Sequence, residues 1–384
     1  MAFELNNKVL KYLDDSFEEA MALLEAICKI PAPSHHEEKR AAFCKKWLDD
    51  IGAEGVYIDE ALNVVFPWNC EGKDNLVAFF AHTDTVFPDM TEPMPYSTDG
   101  KFAYSPGVGD DTICLVMMLL VAKYVVQNNL QSDHGILFVA NSCEEGLGNL
   151  KGVKQVMKDY EGRVERFYTF DGTYDHLYNR CVGSHRYKLN VTTKGGHSFS
   201  NFGNRNAICA AAELICELSK CQVPVEEGSK TTWNVGIIEG GTSVNTIAQN
   251  ASFLYEYRSD TYKCLETMQK FFEETVEKAK KDPEVNIEVE VIGIRPCGTE
   301  VDEYVMKEMV DNVVAVCEKH TGMPCALRSG STDANIPMSL GIPSICVGNY
   351  MGGGIHTREE YLEIASVPVG LKITAEIILQ YFTA

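Results

Sequence analysis

Four short apolar segments of the chain each lead into side chains that can bind a metal ion. Apolar runs of this length are typical of the central strands of a parallel sheet. In open α/β sheets, ligands bind beyond the carboxyl ends of the strands, so the four segments predict one shared site rich in histidine and carboxylate. The segments and the residues after them are 76–81 with His82 and Asp84, 135–140 with Glu144 and Glu145, 166–170 with Asp171, and 344–348 with His356.

A fifth candidate ligand, Asp110, precedes an apolar stretch from Asp111 to Gln127 that is predicted to be a buried helix. Two histidines and three carboxylates are too many ligands for one tetrahedral ion that keeps an open position. They suit two ions that share a bridging carboxylate, about 3.5–4 Å apart. Mixed histidine and carboxylate ligands, without thiolates, indicate a catalytic site rather than a structural one. The predicted metal ligands are His82, Asp110, Glu145, Asp171 and His356.

The predicted site also concentrates negative charge at one edge of the sheet. Any one of these acids alone is better interpreted as a solvated loop residue. Together they would repel one another and some would take up protons, unless divalent cations neutralise them. The electrostatics therefore supports the metal hypothesis independently of the ligand count. The acids in question are Asp84, Asp110, Asp111, Glu144, Glu145 and Asp171.

The adjacent residues Glu144 and Glu145 have side chains that point in different directions. One of them can bind a metal ion while the other acts as a general base, as in metallohydrolases. Asp84 lies two residues beyond His82 and can accept a proton from the second ring nitrogen, which would fix the orientation of the imidazole. The alternative for Asp84 is an ordinary turn residue.

Two glycine-containing segments invite a nucleotide-binding interpretation, and neither supports it. Gly107 and Gly109 could begin a dinucleotide fingerprint, but the third glycine would fall at Thr112. The run 352–354 is not followed by the lysine of a phosphate-binding loop. We interpret Gly353 and Gly354 instead as positions where the backbone approaches a substrate.

The order of predicted elements indicates an α/β protein with an insertion. A helical period covers residues 15–29, and Ser34 with Glu37 predicts a capping box for a helix that ends near Gly52. Strands and helices then alternate, as in a doubly wound, largely parallel sheet. Residues 184–293 follow the order β-α-β-β-α-β of a ferredoxin-like α+β domain. The predicted domains are 1–183 and 294–384 for the first domain and 184–293 for the inserted one.

Composition narrows the possible partners and location. A net charge of −21 over 384 residues argues against nucleic acid or an anionic membrane as a partner. The 14 cysteines show no paired spacing and several lie in apolar runs, so we expect them to be reduced core residues. The first 14 residues lack the pattern of a signal peptide, and no segment is long and apolar enough to span a bilayer. A cytoplasmic protein is expected.

At these residues the chain resembles a known family, the co-catalytic zinc exopeptidases and deacylases. That family includes peptidase T, carboxypeptidase G, acetylornithine deacetylase and succinyl-diaminopimelate desuccinylase. The likeness extends from about residue 30 to the C-terminal helix. The motifs that carry it are His82-x-Asp84, Gly109-Asp110-Asp111, Glu144-Glu145-Gly146, Asp171-Gly172, Gly196-His197-Ser198, the run 240–245, the run 331–335 and His356-Thr357.

The resemblance implies a zinc exopeptidase-like fold in which the inserted domain forms a homodimer. It implies Glu144 as the general base, two zinc ions with cobalt or manganese as alternatives, and a cis peptide bond after the bridging acid. The ligands that it implies are His82 and Asp171 for one ion and Glu145 and His356 for the other, with Asp110 bridging both.

The resemblance also assigns residues of the inserted domain. His197 matches a residue that reaches the partner subunit's active site and polarises the scissile carbonyl. Asn245 and Arg258 match positions that contact a substrate carboxylate. The presence of Asp171, where deacylases often have Glu, favours the peptidase T-like branch. The segment 112–114 departs from the Lys-Gly that many members have after the bridging acid.

We therefore predict a dinuclear metal-dependent hydrolase that cleaves a terminal amide bond of a small peptide, as an aminopeptidase or tripeptidase does. An N-acyl amino-acid deacylase with the same metal site is the alternative enzyme. A metal-stabilised binding protein without catalysis is the alternative from another class, and the retained Glu144 argues against it.

Overall fold

The computed structural model describes residues 4–146 and 148–383. Residues 1–3, 147 and 384 lie outside this description. The first three belong to the segment that is predicted not to be a signal peptide. The described residues form two compact units. The first unit comprises the residues up to Arg180 and those from Thr299 onwards, and the second comprises Cys181–Gly298.

The first unit begins with three helices and five strands, and strands alternate with helices only after them. Before the insertion its helices are α1 Asn7–Asp15, α2 Phe17–Cys28, α3 Glu38–Asp50, α4 Cys114–Gln127 and α5 Lys151–Asp159. The strands there are β1 Tyr57–Ile58, β2 Val64–Trp68, β3 Leu76–His82, β4 Ser97–Thr98, β5 Phe102–Tyr104, β6 Gly135–Asn141, β7 Val164–Phe170 and β8 His176–Cys181.

The second unit has six principal elements in the predicted order. They are β9 Gly183–Thr192, α6 Ala207–Leu218, β11 Thr231–Gly240, β13 Asn250–Ser259, α7 Tyr262–Ala279 and β14 Asn286–Arg295, with the short strands β10 Gly196–His197 and β12 Thr246–Ile247. The antiparallel sheet has the order β11-β13-β9-β14, and β10 pairs with β12. Both helices pack on one face of this sheet around a separate apolar core that includes Leu189, Phe253 and Phe272.

The chain then completes the first unit. The remaining elements are α8 Glu303–Thr321, β15 Ala326–Gly330, α9 Asn335–Ser339, β16 Ser344–Val347, β17 Gly352–Gly353, β18 Tyr361–Glu363 and α10 Val367–Leu379. The main sheet has the order β1-β2-β6-β3-β7-β16-β8-β15, and its central neighbours β6, β3, β7 and β16 pair in parallel. A second, small sheet has the order β17-β18-β5-β4. The doubly wound, largely parallel sheet is as predicted.

The central strands are buried because both faces of the sheet are covered. Every residue of β3 and of β6 is buried, which explains why these segments are apolar without alternation. Helix α4 is buried along nearly its whole length and packs on the same core as α10. Parallel pairing brings the carboxyl ends of β6, β3, β7 and β16 to one edge of the sheet, where the predicted ligands follow.

Three local predictions differ from the structure. The segment predicted as one helix from 15 to 29 divides at Ser16 into α1 and α2. The buried helix begins at Cys114 rather than at Asp111, because residues 108–113 form a π-helical turn with non-helical angles at Asp110 and Asp111. No capping box forms before α3: Ser34 instead donates a hydrogen bond to Asp84. Among the described residues, no helix is long and apolar enough to cross a membrane.

Candidate metal centre

His82, the last residue of β3, is held on three sides. Its backbone N–H donates to Asp111 Oδ2 at 2.8 Å. Its Nε2 lies 2.9 Å from Asp110 Oδ1, and its Nδ1 lies 3.0 Å from the backbone oxygen of Asp84. Because the residue is 1% exposed, the strand and these contacts fix the imidazole before any ligand binds.

Asp84 contacts the turn after β6 as well as His82. Its carboxylate lies 3.5 Å from His82 Nδ1, farther than its own backbone oxygen. The carboxylate accepts the backbone N–H of Glu144 at 2.9 Å and that of Glu145 at 3.1 Å. Ser34 Oγ donates to the same carboxylate at 2.7 Å. Asp84 therefore ties the turn that carries both glutamates to the end of β3.

Asp110 lies between two imidazoles. Its Oδ1 faces His82, and its Oδ2 is 3.0 Å from His356 Nε2. The peptide bond between Asp110 and Asp111 is cis, as the family resemblance implies. Each oxygen of this carboxylate thus faces a different histidine, which is the arrangement of a bridging ligand.

Strand register explains how the other carboxylates reach the same edge. His82 pairs with Asn141 on β6, so Glu144 and Glu145 follow in the next turn. Asp171 directly follows β7, and its backbone N–H donates to Val347 at the end of β16. The side chains of Glu144 and Glu145 are both buried.

His356 comes from a loop between β17 and β18 rather than from a strand. Its Nε2 lies 3.3 Å from Glu145 Oε1, in addition to its contact with Asp110. The side chain is 54% exposed and the backbone φ is +63°. Gly353 and Gly354, predicted to approach a substrate, lie in the segment that leads to this histidine.

The candidate ligands fall into overlapping groups whose donor atoms lie within 4.8 Å of one another. One group is His82, Asp110 and Asp171, and another is Asp110, Glu145 and His356. These two groups share only Asp110, as two ions with one bridging carboxylate require. Glu144 forms a third group with His82 and Glu145, so its carboxylate also lies beside the cluster.

The carboxyl groups respond to burial and to one another in opposite directions. Burial, reinforced by the charge of Asp110, raises the pKa of Glu145 to about 7 and that of Asp171 well above its usual value. Burial also acts to raise the pKa of Asp110, but His356 and His82 outweigh it and hold the pKa below its usual range. In the metal-free protein these acids are therefore not all ionised at neutral pH.

Both histidines have a raised pKa in the metal-free protein. Hydrogen bonds to Asp110 and Glu145 raise the pKa of His356 to about 11. Burial opposes protonation of His82, but its contacts with Asp110, Asp111 and Asp84 outweigh it and raise the pKa. Protons thus occupy places that cations take in a metal site, because a bound ion and a bound proton neutralise the same carboxylates.

The cluster fits divalent ions by its chemistry. It offers imidazole nitrogen and carboxylate oxygen at distances that suit shared coordination. One carboxylate oxygen beside it, Asp111 Oδ1, is buried without a hydrogen-bond partner. Two cations would remove the mutual repulsion of the acids and leave positions open for a substrate.

Of the three predicted site residues in the second unit, two lie near each other. His197 and Asn245 are exposed; His197 ends β10, and Asn245 directly precedes β12, with which β10 pairs. The backbone N–H of Ser198 donates to the backbone oxygen of Asn245 at 2.9 Å. Arg258 lies on β13 and donates two hydrogen bonds of 3.1 Å to Glu256. The assigned roles of His197, Asn245 and Arg258 stay predictions.

Glu360 is a buried residue to which the sequence pattern gives no role. Its carboxylate accepts the backbone N–H groups of Gly107, Gly109 and Asp110 at 2.8–2.9 Å. Burial, partly offset by these hydrogen bonds, raises its pKa to about 7. In the sequence, the one signal for a role of Glu360 is its position four residues after His356. A carboxylate at such a spacing is common in loops and does not distinguish this residue.

Comparison with known proteins identifies the class. Residues 78–380 match the model of peptidase family M20/M25/M40, so the chain belongs to that family, and the resemblance inferred from its motifs is confirmed. Carboxypeptidase G2 of a Pseudomonas species is 25% identical over 330 residues, which cover 83% of this chain and 76% of that protein. Succinyl-diaminopimelate desuccinylase of Paraburkholderia xenovorans is 24% identical over 312 residues, which cover 76% and 79% respectively.

A solved structure extends the likeness to the fold. A tripeptidase from Staphylococcus aureus superposes with a TM-score of 0.76 at 21% sequence identity. The match covers 94% of this chain and 97% of that one. The chain is therefore a hydrolase of a metallopeptidase family, and it has the fold of these enzymes.

Proposed function

We propose that this protein is a two-ion hydrolase that removes a terminal residue from small peptides by cleaving one amide bond. The observation that carries the proposal is the position of Asp110, with one carboxylate oxygen 2.9 Å from His82 and the other 3.0 Å from His356. We assign His82 and Asp171 to one ion and Glu145 and His356 to the other. Zinc suits this ligand set, and cobalt and manganese are the alternatives.

When bound, the ions polarise the scissile carbonyl and make a water molecule nucleophilic at neutral pH. Glu144 accepts a proton from the attacking water as its oxygen bonds to the carbonyl carbon, and returns the proton to the leaving amine as the C–N bond breaks. Support for this role comes from the buried position of Glu144 beside the cluster and from Asp84, which holds its backbone N–H.

Replacing Glu144 tests the mechanism. We expect Glu144→Gln to keep both ions but to lose about 10²–10⁴-fold in turnover, the range of general base catalysis. Turnover of an Ala-Gly-Gly tripeptide and metal content after dialysis are the two measurements. Glu161→Gln, the same substitution at an exposed position, serves as the control. Near-normal turnover in Glu144→Gln would remove this residue from the mechanism.

A deacylase activity remains the second candidate, because a succinyl-diaminopimelate desuccinylase is among the relatives. The two activities use the same metal chemistry and differ in the group that the pocket recognises. A metal-supplemented panel of dipeptides, Xaa-Gly-Gly tripeptides, and N-acetyl and N-succinyl amino acids separates them. We expect the highest kcat/KM on a peptide; a clear preference for an acylated amino acid would favour the deacylase.

We also propose that the second unit forms a homodimer that brings His197 to the partner's substrate. Support comes from β11, an edge strand with exposed Ile237 and Ile238, and from the nearly fully exposed Phe199 and Phe202 beside His197. Large exposed apolar side chains and an unpaired strand edge are features of interaction surfaces. Analytical ultracentrifugation is expected to give a dimer; a monomer at micromolar concentration would exclude a role for His197 in trans.

A further inference from the structure

Glu360 joins the two segments that supply Asp110 and His356. Its Oε2 accepts the N–H of Gly107 at 2.9 Å, and its Oε1 accepts the N–H groups of Gly109 and Asp110 at 2.8 and 2.9 Å. The residue is 1% exposed, so no solvent competes for these donors. Three donors within the four-residue segment 107–110 are aimed at this one carboxylate and form a backbone nest.

The backbone on both sides of this contact is fixed. Gly107 has a φ of +75°, and a side chain at Gly109 would collide with the ring of Tyr350, so the loop comes close enough for its N–H groups to face inward. On the other side, Glu360 directly precedes β18, which pairs with β5. The carboxylate is thus anchored to a sheet while it holds a loop.

We infer that Glu360 is a positioning residue that sets the distance between the bridging carboxylate and His356. The inference rests on the proposed function for its consequence, since the two segments matter together only if Asp110 and His356 share an ion. Residue 360 is four positions after His356 and holds the backbone N–H of Asp110 itself. Loss of the contact frees the loop from the segment that carries the histidine.

The consequence is unequal for the two ions. The ion assigned to His82 and Asp171 keeps two ligands positioned by strand ends. The ion assigned to Glu145 and His356 depends on a loop histidine whose spacing from Asp110 is set through Glu360. Weakening the contact is therefore expected to lower the affinity for the second ion by about 10–100-fold, the range for residues that orient ligands. The affinity for the first ion should fall less, because Asp110 keeps its contact with His82.

The test compares Glu360→Gln and Glu360→Asp with Glu359→Gln, an adjacent and exposed position. Gln presents an amide NH₂ to a nest that offers only donors, and Asp is one methylene too short; Asp keeps the charge if Gln folds poorly. In metal-free protein, hydrogen–deuterium exchange of the peptide that spans residues 105–113 is expected to accelerate about tenfold or more in both variants. Calorimetric titration with Zn²⁺ then reports the two affinities.

Each outcome decides a separate claim. Exchange and both zinc affinities equal to those of Glu359→Gln would overturn the inference. Faster exchange with an equal loss at both ions would also overturn it, because Glu360 would then be only structural. If the unsubstituted protein bound no zinc, the proposed function would fail, whereas the exchange measurement would still show whether Glu360 holds the loop.

Discussion

The two histidines of the candidate metal centre are positioned in different ways. His82 ends a strand that is buried throughout, and its backbone N–H and both ring nitrogens have partners. His356 lies on a loop, with its side chain 54% exposed and a left-handed backbone. One half of the site is therefore preorganised by the sheet, whereas the other depends on loop contacts, so we expect the first half to bind its ion more tightly.

Removing the residue that both halves share should have the largest effect. We expect Asp110→Asn to lose both ions on dialysis and at least about 10³-fold in turnover, because each ion contributes several kcal/mol to transition-state stabilisation. Metal content and peptide hydrolysis are the measurements, and Asp133→Asn, at an exposed position, is the control. Retention of two ions by Asp110→Asn would show that this carboxylate is not the bridge.

Truncating each histidine compares the halves directly. In metal-free protein, His82→Ala should lower the free energy of unfolding by about 2–3 kcal/mol, because it leaves buried carboxylate oxygens without partners. His356→Ala should lower it by less, because this side chain is 54% exposed and solvent screens its contacts with Asp110 and Glu145. Urea denaturation in EDTA measures both. Equal losses would contradict the contrast between strand and loop.

Substituting Asp84 should reduce activity less than substituting a metal ligand, and more than substituting its neighbour Ser34. Asp84→Asn replaces an acceptor of two backbone N–H groups by an amide that can accept only one of them, so Glu144 and Glu145 shift. We expect a 10–100-fold loss in metal affinity or kcat. Ser34→Ala removes only one hydrogen bond to the carboxylate and should cost about 0.5–1.5 kcal/mol of stability. A larger loss in activity from Ser34→Ala than from Asp84→Asn would reverse this ranking.

The smallest expected effect is a dependence of metal-free stability on pH. The pKa of Glu145 rises from 4.5 to about 7 on folding, and that of His356 from 6.5 to about 11. Both raised values mean that the folded state binds more protons, so the stability they contribute is present at low pH and is lost as pH rises. Melting in EDTA from pH 5 to 9 should therefore show a falling Tm, and added Zn²⁺ should widen the gap with rising pH. A Tm in EDTA that rises over this range would contradict these assignments.

The sequence alone predicts strands and site residues wherever the local pattern and the strand topology agree. Segments 76–81 and 135–140 are apolar because the sheet covers them on both sides, so their positions and the carboxyl-edge rule predict where His82 and Glu145 meet. The β-α-β-β-α-β order of the second unit is visible for the same reason, since alternation and helical period differ.

The remaining features depend on contacts that local pattern does not encode. Ser34 fits a helix cap by its spacing to Glu37, yet it bonds to Asp84, 50 residues away. Glu360 contacts Gly107 across more than 250 residues, and no periodicity predicts that pairing. The π-helical turn before α4, with non-helical angles at Asp110 and Asp111, is likewise not predicted by the apolar helical pattern.

The proposed function requires that five residues distant in sequence hold a pair of cations. Crystals grown with Zn²⁺ and measured at the zinc absorption edge test it most directly. We expect two anomalous peaks about 3.5–4 Å apart, one against His82 and Asp171 and the other against Glu145 and His356, with Asp110 between them. A single peak, or none among these five side chains, would contradict it.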